Sequence, residues 1–218
     1  MRIVVPTITA LGVHDFTTQT DLISSISDYA HLDLASSDFS GSTNLVDFRN
    51  TYLDPVLTYS VHVMYQKPLD VIKFLLNLTH PPKLIILQVE SDDSNLIESI
   101  KLIKDSSCSL GIALLKKSDP KDFSQLILLA DQALIFSGNL GEYGGTADLN
   151  LISKIKEIKN IKSNIEIAWD GGINKDNIED LAKAGIDVFY VGGSIHKSSD
   201  PYQELQNLQN LVDQTTSS

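Results

Sequence analysis

Short runs of aliphatic and β-branched residues return at near-regular intervals along the whole chain, and this recurrence restricts the fold more than any other sequence feature. Eight runs stand out, at residues 3–5, 30–34, 56–64, 84–89, 110–114, 133–136, 165–169 and 188–191. They read as strands buried on both faces. Most segments between them space apolar residues by three and four, as in Leu96-Ile97-Ile100-Ile103 and Leu151-Ile152-Ile155-Ile158, which predicts helices. Start and stop signals agree: Asp148 can cap the helix that follows it, Pro120 and Pro201 suit first helical turns, and Gly185 follows a helix expected over residues 177–184. The segment 36–55 fits least well. Ser, Asp, Gly and Asn dominate it, and only a short helix around residues 45–52 is expected.

Repeated strand–helix units imply a parallel sheet with right-handed crossovers, and eight of them in 218 residues favour closure. A doubly wound open sheet would carry a glycine-rich turn after its first strand. Here Pro6-Thr7-Ile8-Thr9-Ala10 follows instead, and neither G-x-G-x-x-G nor G-x-x-x-x-G-K-[ST] occurs. The expected fold is α/β, a (β/α)8 TIM barrel forming one domain over residues 1–213, with a polar, frayed tail at 214–218.

The chain is 42% hydrophobic and 21% charged, as expected of a soluble protein with a full core. A net charge of −11 argues against nucleic acid or an anionic membrane as main partner. A small anionic ligand remains compatible, because backbone N–H groups at helix starts bind phosphate locally. The single cysteine, Cys108, excludes an intrachain disulfide and suits a reducing compartment. The start Met1-Arg2-Ile3-Val4-Val5-Pro6 is too short in apolar residues for a signal peptide, and no run of about 18 apolar residues occurs. A cytoplasmic location is expected, and assembly into a homo-oligomer is left open.

Active sites of such barrels lie at the C-terminal ends of the strands. In Tyr29-Ala30-His31-Leu32-Asp33-Leu34, strand alternation points His31 and Asp33 one way and Ala30, Leu32 and Leu34 the other. Alone, such a pair is more often a hydrogen-bonded core pair than a site. His62 ends the third strand, however, and Asp170 the seventh. Four such groups on one rim are costly to bury without partners. Two imidazoles and two carboxylates suit Zn²⁺, Mn²⁺, Fe²⁺ or Co²⁺, and the ligand types do not choose among them. Glycines cluster after the last three strands, in Gly141-Glu142-Tyr143-Gly144-Gly145-Thr146, Gly171-Gly172 and Gly192-Gly193-Ser194. Each is an ordinary turn signal. In register on neighbouring strands they suit close approach to a phosphate. Glu90 is set aside as an exposed loop carboxylate, His80 as sitting beside Pro81-Pro82 in a bottom-face turn, His14 and His196 as lacking a partner at a recognisable spacing, and Cys108 as lying on the opposite face.

These residues resemble the ribulose-phosphate 3-epimerase family from about residue 5 to residue 201. The resemblance is carried by Pro6-Thr7, where the family has Pro-Ser, His31-Leu32-Asp33, Val61-His62-Val63-Met64 with Pro68, Gly144-Gly145, Asp170-Gly171-Gly172-Ile173 and Gly193-Ser194-Ile195. It implies one divalent metal on His31, Asp33, His62 and Asp170, with Asp33 and Asp170 as the acid/base pair on opposite sides of a sugar phosphate. Stabilising the enediolate makes the weakly acidic C3 proton removable, and its return from the other face inverts the carbon. Asp33 then accepts and Asp170 donates in the ribulose-to-xylulose direction. The implied substrate contacts are Thr7, His62, Gly144, Gly145, Gly171, Gly172, Gly193 and Ser194.

Several residues depart from the family pattern. Ala35-Ser36-Ser37 stands where Met-Asp-Gly is usual, Gln88 where a His is usual, and Ser137 where a Met packs near the metal. Residues 139–143 replace a Val-x-Pro-Gly-Phe-like loop. The ligands are intact, so the reaction type is expected to hold, with D-ribulose 5-phosphate as substrate. Alternatives are an epimerase of another ketose phosphate, such as a ketohexose 6-phosphate, and a barrel that binds sugar phosphate without turning it over. The D-x-K-x-x-D pattern of neighbouring aldolase and decarboxylase barrels does not occur.

Overall fold

The computed structural model describes residues 2–41, 45–51, 56–138, 140 and 145–215. Eight strands, β1 (Ile3–Ile8), β2 (Tyr29–Ala35), β3 (Thr58–Met64), β4 (Leu84–Gln88), β5 (Ser109–Leu114), β6 (Gln132–Phe136), β7 (Glu166–Asp170) and β8 (Val188–Val191), close into one barrel. All pairings are parallel, and β8 returns to β1. The TIM barrel expected from the eight apolar runs is the observed architecture.

Helices α1 (Val13–Ile26), α3 (Leu69–Leu76), α4 (Asp93–Lys104), α5 (Ser124–Leu129), α6 (Ser153–Ile161), α7 (Ile178–Ala184) and α9 (Pro201–Gln214) follow strands around the barrel, with single turns α2 (Ser37–Ser40) and α8 (Gly193–His196) at two strand exits. Asp148 accepts from Asn150 N and caps a 3₁₀ turn, Leu149–Ile152, that runs into α6. Gly185 ends α7 in the left-handed region at φ +106°. The helix expected at residues 45–52 is reduced to a 3₁₀ turn, Phe48–Asn50, with Asp47 accepting from Arg49 N. Residues 52–55 lie outside the described residues, and α2 is too short to leave a helical period in the sequence. None of the described helices is long and apolar enough to cross a membrane.

Strand alternation divides the core in two. Leu32, Leu34, Ile85, Leu87, Ile112, Ile167, Trp169 and Phe189 belong to the large cluster between barrel and helices. Val5, Ile86, Ala113, Leu134, Ala168, Val188 and Tyr190 fill the barrel interior. β1 pairs with β8 over residues 3–6 and with β2 at Thr7 and Ile8, so Pro6, which has no N–H, falls where one ladder gives way to the other. Because Ile86 is the partner of Gly111, a Cβ on Gly111 would stand 2.7 Å from Ile86 Cγ1.

Gly111→Val therefore overpacks the barrel interior and lowers stability by about 1–3 kcal/mol. Urea denaturation measures the difference, and an unchanged midpoint would contradict this packing.

Candidate metal and catalytic site

β2 and β3 run in register, with His31 beside Ser60 and Asp33 beside His62. Alternation turns His31 and Asp33 inward while Leu32 and Leu34 join the outer core. On β7 the same alternation leaves Trp169 in the outer core and places Asp170 in the rim cluster. His31, His62, Asp33 and Asp170 are all buried, and each offers one ligand atom within 4.8 Å of the other three.

The atoms that converge are those without partners. His31 Nε2 and His62 Nδ1 each lie 3.5 Å from Asp33 Oδ1, and none of the three has a hydrogen bond among the described residues. The outward atoms are all engaged. His31 Nδ1 bonds Ser60 Oγ at 2.7 Å, His62 Nε2 meets the Gln88 amide at 3.0 Å, and Thr9 Oγ1 donates to Asp33 Oδ2 at 2.7 Å. Buried polar atoms are seldom left unpaired, and a metal ligand characteristically ties down its outer atom. A divalent cation fits this donor set and would supply the missing partner.

The two carboxylates differ in acidity. Burial alone would raise Asp33, but the adjacent His31 and His62 outweigh it and hold the carboxyl below its usual range. Burial, reinforced by the Asp33 charge, pushes Asp170 well above that range, against the Gly171 backbone N–H. His31 is lowered chiefly by burial. Two carboxyl groups separated in this way can divide the roles of proton acceptor and donor.

A cavity of about 300 Å³ opens over Asp33 and Asp170. Thr7, Gly145, Gly172, Gly193 and Ser194 line it, and the Thr7 hydroxyl is buried without a partner among the described residues. Gly144 lies outside the described residues. Ala35, Leu45, Met64 and Phe136 form a separate apolar cluster, of which Leu45, Met64 and Phe136 line the cavity. Gly171 and Gly172 have φ +105° and +72°. A Cβ on them would come within 2.2 Å of Gly138 N and 2.1 Å of Ala147 N. Both glycines are thus required first by backbone packing against the loop after β6.

Several supports escape sequence reasoning. Thr9 shares the Thr7 spacing but lies just past β1, and nothing local marks it as the partner of Asp33. Ser60 is an ordinary polar residue in an apolar run, and Gln88 stands out only as replacing a usual His, with nothing to assign it to His62. Tyr190 stacks on His31 with ring centroids 3.6 Å apart and planes 17° apart, and its hydroxyl donates to Gln132. Phe136 packs edge-on to His62 at 5.6 Å, whereas Ser137 Oγ accepts from Asp148 N. His196 is not without a partner: its Nε2 contacts Thr7 O at 2.7 Å. Glu90 is half-buried rather than exposed, and accepts from Leu115 N at 3.0 Å and from Ser118 Oγ.

Comparison with known proteins gives a match to the Ribulose-phosphate 3 epimerase family over residues 3–196. The chain is similar to ribulose-phosphate 3-epimerase of Helicobacter pylori strain J99, at 31% identity over 175 residues, covering 74% of this chain and 80% of that protein. It is similar to the Buchnera aphidicola (subsp. Baizongia pistaciae) enzyme of the same name at 29% over 191 residues, covering 82% and 81%. Among solved structures, 3-hexulose-6-phosphate synthase from Salmonella typhimurium superposes with a TM-score of 0.73 at 16% identity, covering 99% of this chain and 100% of that one. The 3-keto-L-gulonate-6-phosphate decarboxylase from Vibrio cholerae gives 0.71 at 12%, covering 98% of each chain. At these identities the two structures establish the shared barrel only.

Titrating chelator-treated protein with Co²⁺ or Zn²⁺ raises its thermal midpoint, by the equivalent of about 2.7 kcal/mol at a free metal concentration of 100 Kd. The rise saturates at one equivalent and is lost in His62→Ala. A midpoint indifferent to metal would contradict the fit.

Proposed function

Because this chain belongs to the ribulose-phosphate 3-epimerase family, we propose that it interconverts D-ribulose 5-phosphate and D-xylulose 5-phosphate with Asp33 and Asp170 as its two proton carriers. The enzyme is an isomerase of the epimerase type. The observation that carries the reading is the convergence of three unpartnered buried atoms, on His31, His62 and Asp33, beside a second carboxyl of opposite tendency on Asp170. His31, Asp33, His62 and Asp170 would hold a divalent metal, which would supply Lewis-acid stabilisation of the charge that develops when the C3 proton leaves.

The protein groups do the rest. The Asp33 carboxylate, oriented by the Thr9 hydroxyl, takes the C3 proton. Protonated Asp170 gives its proton to C3 from the other side, so one C–H bond breaks, another forms, and the carbon is inverted. Asp33 is then the acid and Asp170 the base, ready for the reverse direction. The sugar phosphate lies in the cavity, with its phosphate toward Gly145, Gly172, Gly193 and Ser194 and its reacting end near Thr7, Asp33 and Asp170; His62, fully buried beneath the cavity lining, would reach it only through the metal. The ribulose phosphate in the names of the curated relatives supports a sugar phosphate as the occupant. The apolar surface of Leu45, Met64 and Phe136 faces the same cavity and bears on how long a ketose fits.

In D₂O, wild-type enzyme with D-ribulose 5-phosphate incorporates deuterium at C3. Asp33→Asn and Asp170→Asn each reduce this by about 10²–10⁴-fold. Unchanged incorporation in both variants would sink the two-carboxylate reading. Parallel rates on a ketohexose 6-phosphate locate the preferred chain length, with the pentulose expected to be faster. Stabilisation by the sugar phosphate without C3 exchange would point to binding alone.

A further inference from the structure

Gln88 ends β4 on the barrel interior and is fully buried. Three polar groups surround its amide: His62 Nε2 at 3.0 Å, Ala113 O at 3.1 Å and Glu90 Oε2 at 2.8 Å. A carbonyl and a carboxylate can only accept, so the amide nitrogen faces those two and its oxygen faces His62. An amide oxygen also only accepts, so Nε2 of His62 carries the proton. Binding a metal through Nδ1 requires the neutral imidazole, in which Nε2 carries the one N–H and Nδ1 keeps a lone pair. Nδ1 is the atom that points, unpartnered, at Asp33 Oδ1. A lone pair facing a carboxylate oxygen is repulsive until a cation lies between them.

We propose that Gln88 is a positioning residue that locks His62 in its Nε2–H tautomer and so presents Nδ1 to the metal. This rests on the metal-site reading above. The lock is itself braced. Glu90 Oε1 accepts from Leu115 N and Ser118 Oγ, and the buried Lys154 of α6 donates to Leu115 O at 2.6 Å and Ser118 O at 2.7 Å. A hydrogen-bonded line thus runs from α6 through the turn after β5, Glu90 and Gln88 to one imidazole. Two of its members, Gln88 and Glu90, are two residues apart, the spacing of His31 and Asp33 on β2.

The test combines long-range ¹H–¹⁵N NMR of histidine-labelled, metal-free protein with Co²⁺ competition titration. In the wild type, His62 shows protonated Nε2 and unprotonated Nδ1. Gln88→Leu mixes the tautomers and weakens Co²⁺ binding by about 10–100-fold. Gln88→His, which keeps an acceptor toward His62 and a donor away from it, restores the tautomer and most of the affinity. Glu90→Ala, which frees the amide, gives a smaller loss of both. The proposal is overturned by an Nδ1–H His62 in the wild type, by wild-type Co²⁺ affinity in Gln88→Leu, or by no rescue in Gln88→His. Should Gln88→Leu fail to fold, unchanged tautomer and affinity in Glu90→Ala overturn it. A wild type that takes up no Co²⁺ refutes the metal site, while the tautomer spectrum still decides on Gln88.

Discussion

Two imidazoles and two carboxyl groups are held at one end of a barrel whose interior is otherwise largely apolar, with three of their polar atoms aimed at one point and unpartnered. Leaving such atoms without water or a hydrogen bond costs on the order of 1–3 kcal/mol each. Among the described residues, none relieves that cost. Each outward atom of His31, His62 and Asp33 is instead tied to a neighbour, so the side chains cannot turn to satisfy their inner atoms. The arrangement makes physical sense when a cation joins the inner atoms, and the Asp33 and Asp170 carboxyls both line the cavity above them.

The barrel makes this convergence cheap to maintain. β2 and β3 supply three of the four groups through a register that pairs Asp33 with His62. The same alternation that points these groups inward points Leu32, Leu34, Val61 and Val63 into the outer core, so the register that assembles the site also buries apolar surface. Slipping β2 by one residue against β3 would expose the site groups to the helices and lose both. The positive-φ glycines after β7 let the β6 loop backbone pack against the rim.

The barrel was legible because eight strand signals are separated by helical spacing, which an all-β fold does not produce, and because the first strand lacks the glycine-rich turn of a doubly wound open sheet. The four rim residues were legible because His and Asp at strand ends are few and are chemically marked. Their supports were not. Ser60 and Thr9 become visible only when neighbouring strands are set in register, and Gln88, marked in the sequence by replacing a usual His, acquires its partner only there, since each acts across a strand boundary. Glu90 read as a loop carboxylate because its partners, Leu115 and Ser118, come from the next strand exit. Segment 36–55 carried too few apolar residues to set a period, and only a single 3₁₀ turn stands where a helix was expected.

X-ray absorption of the protein loaded with one equivalent of Zn²⁺ bears most directly on the central claim. Scattering from two imidazoles at about 2.0–2.1 Å with carboxylate oxygens at about 2.0–2.2 Å is the expected result, and in His62→Ala one imidazole disappears. A zinc shell without imidazole, or one identical in wild type and His62→Ala, would contradict the site assembled by His31, Asp33, His62 and Asp170.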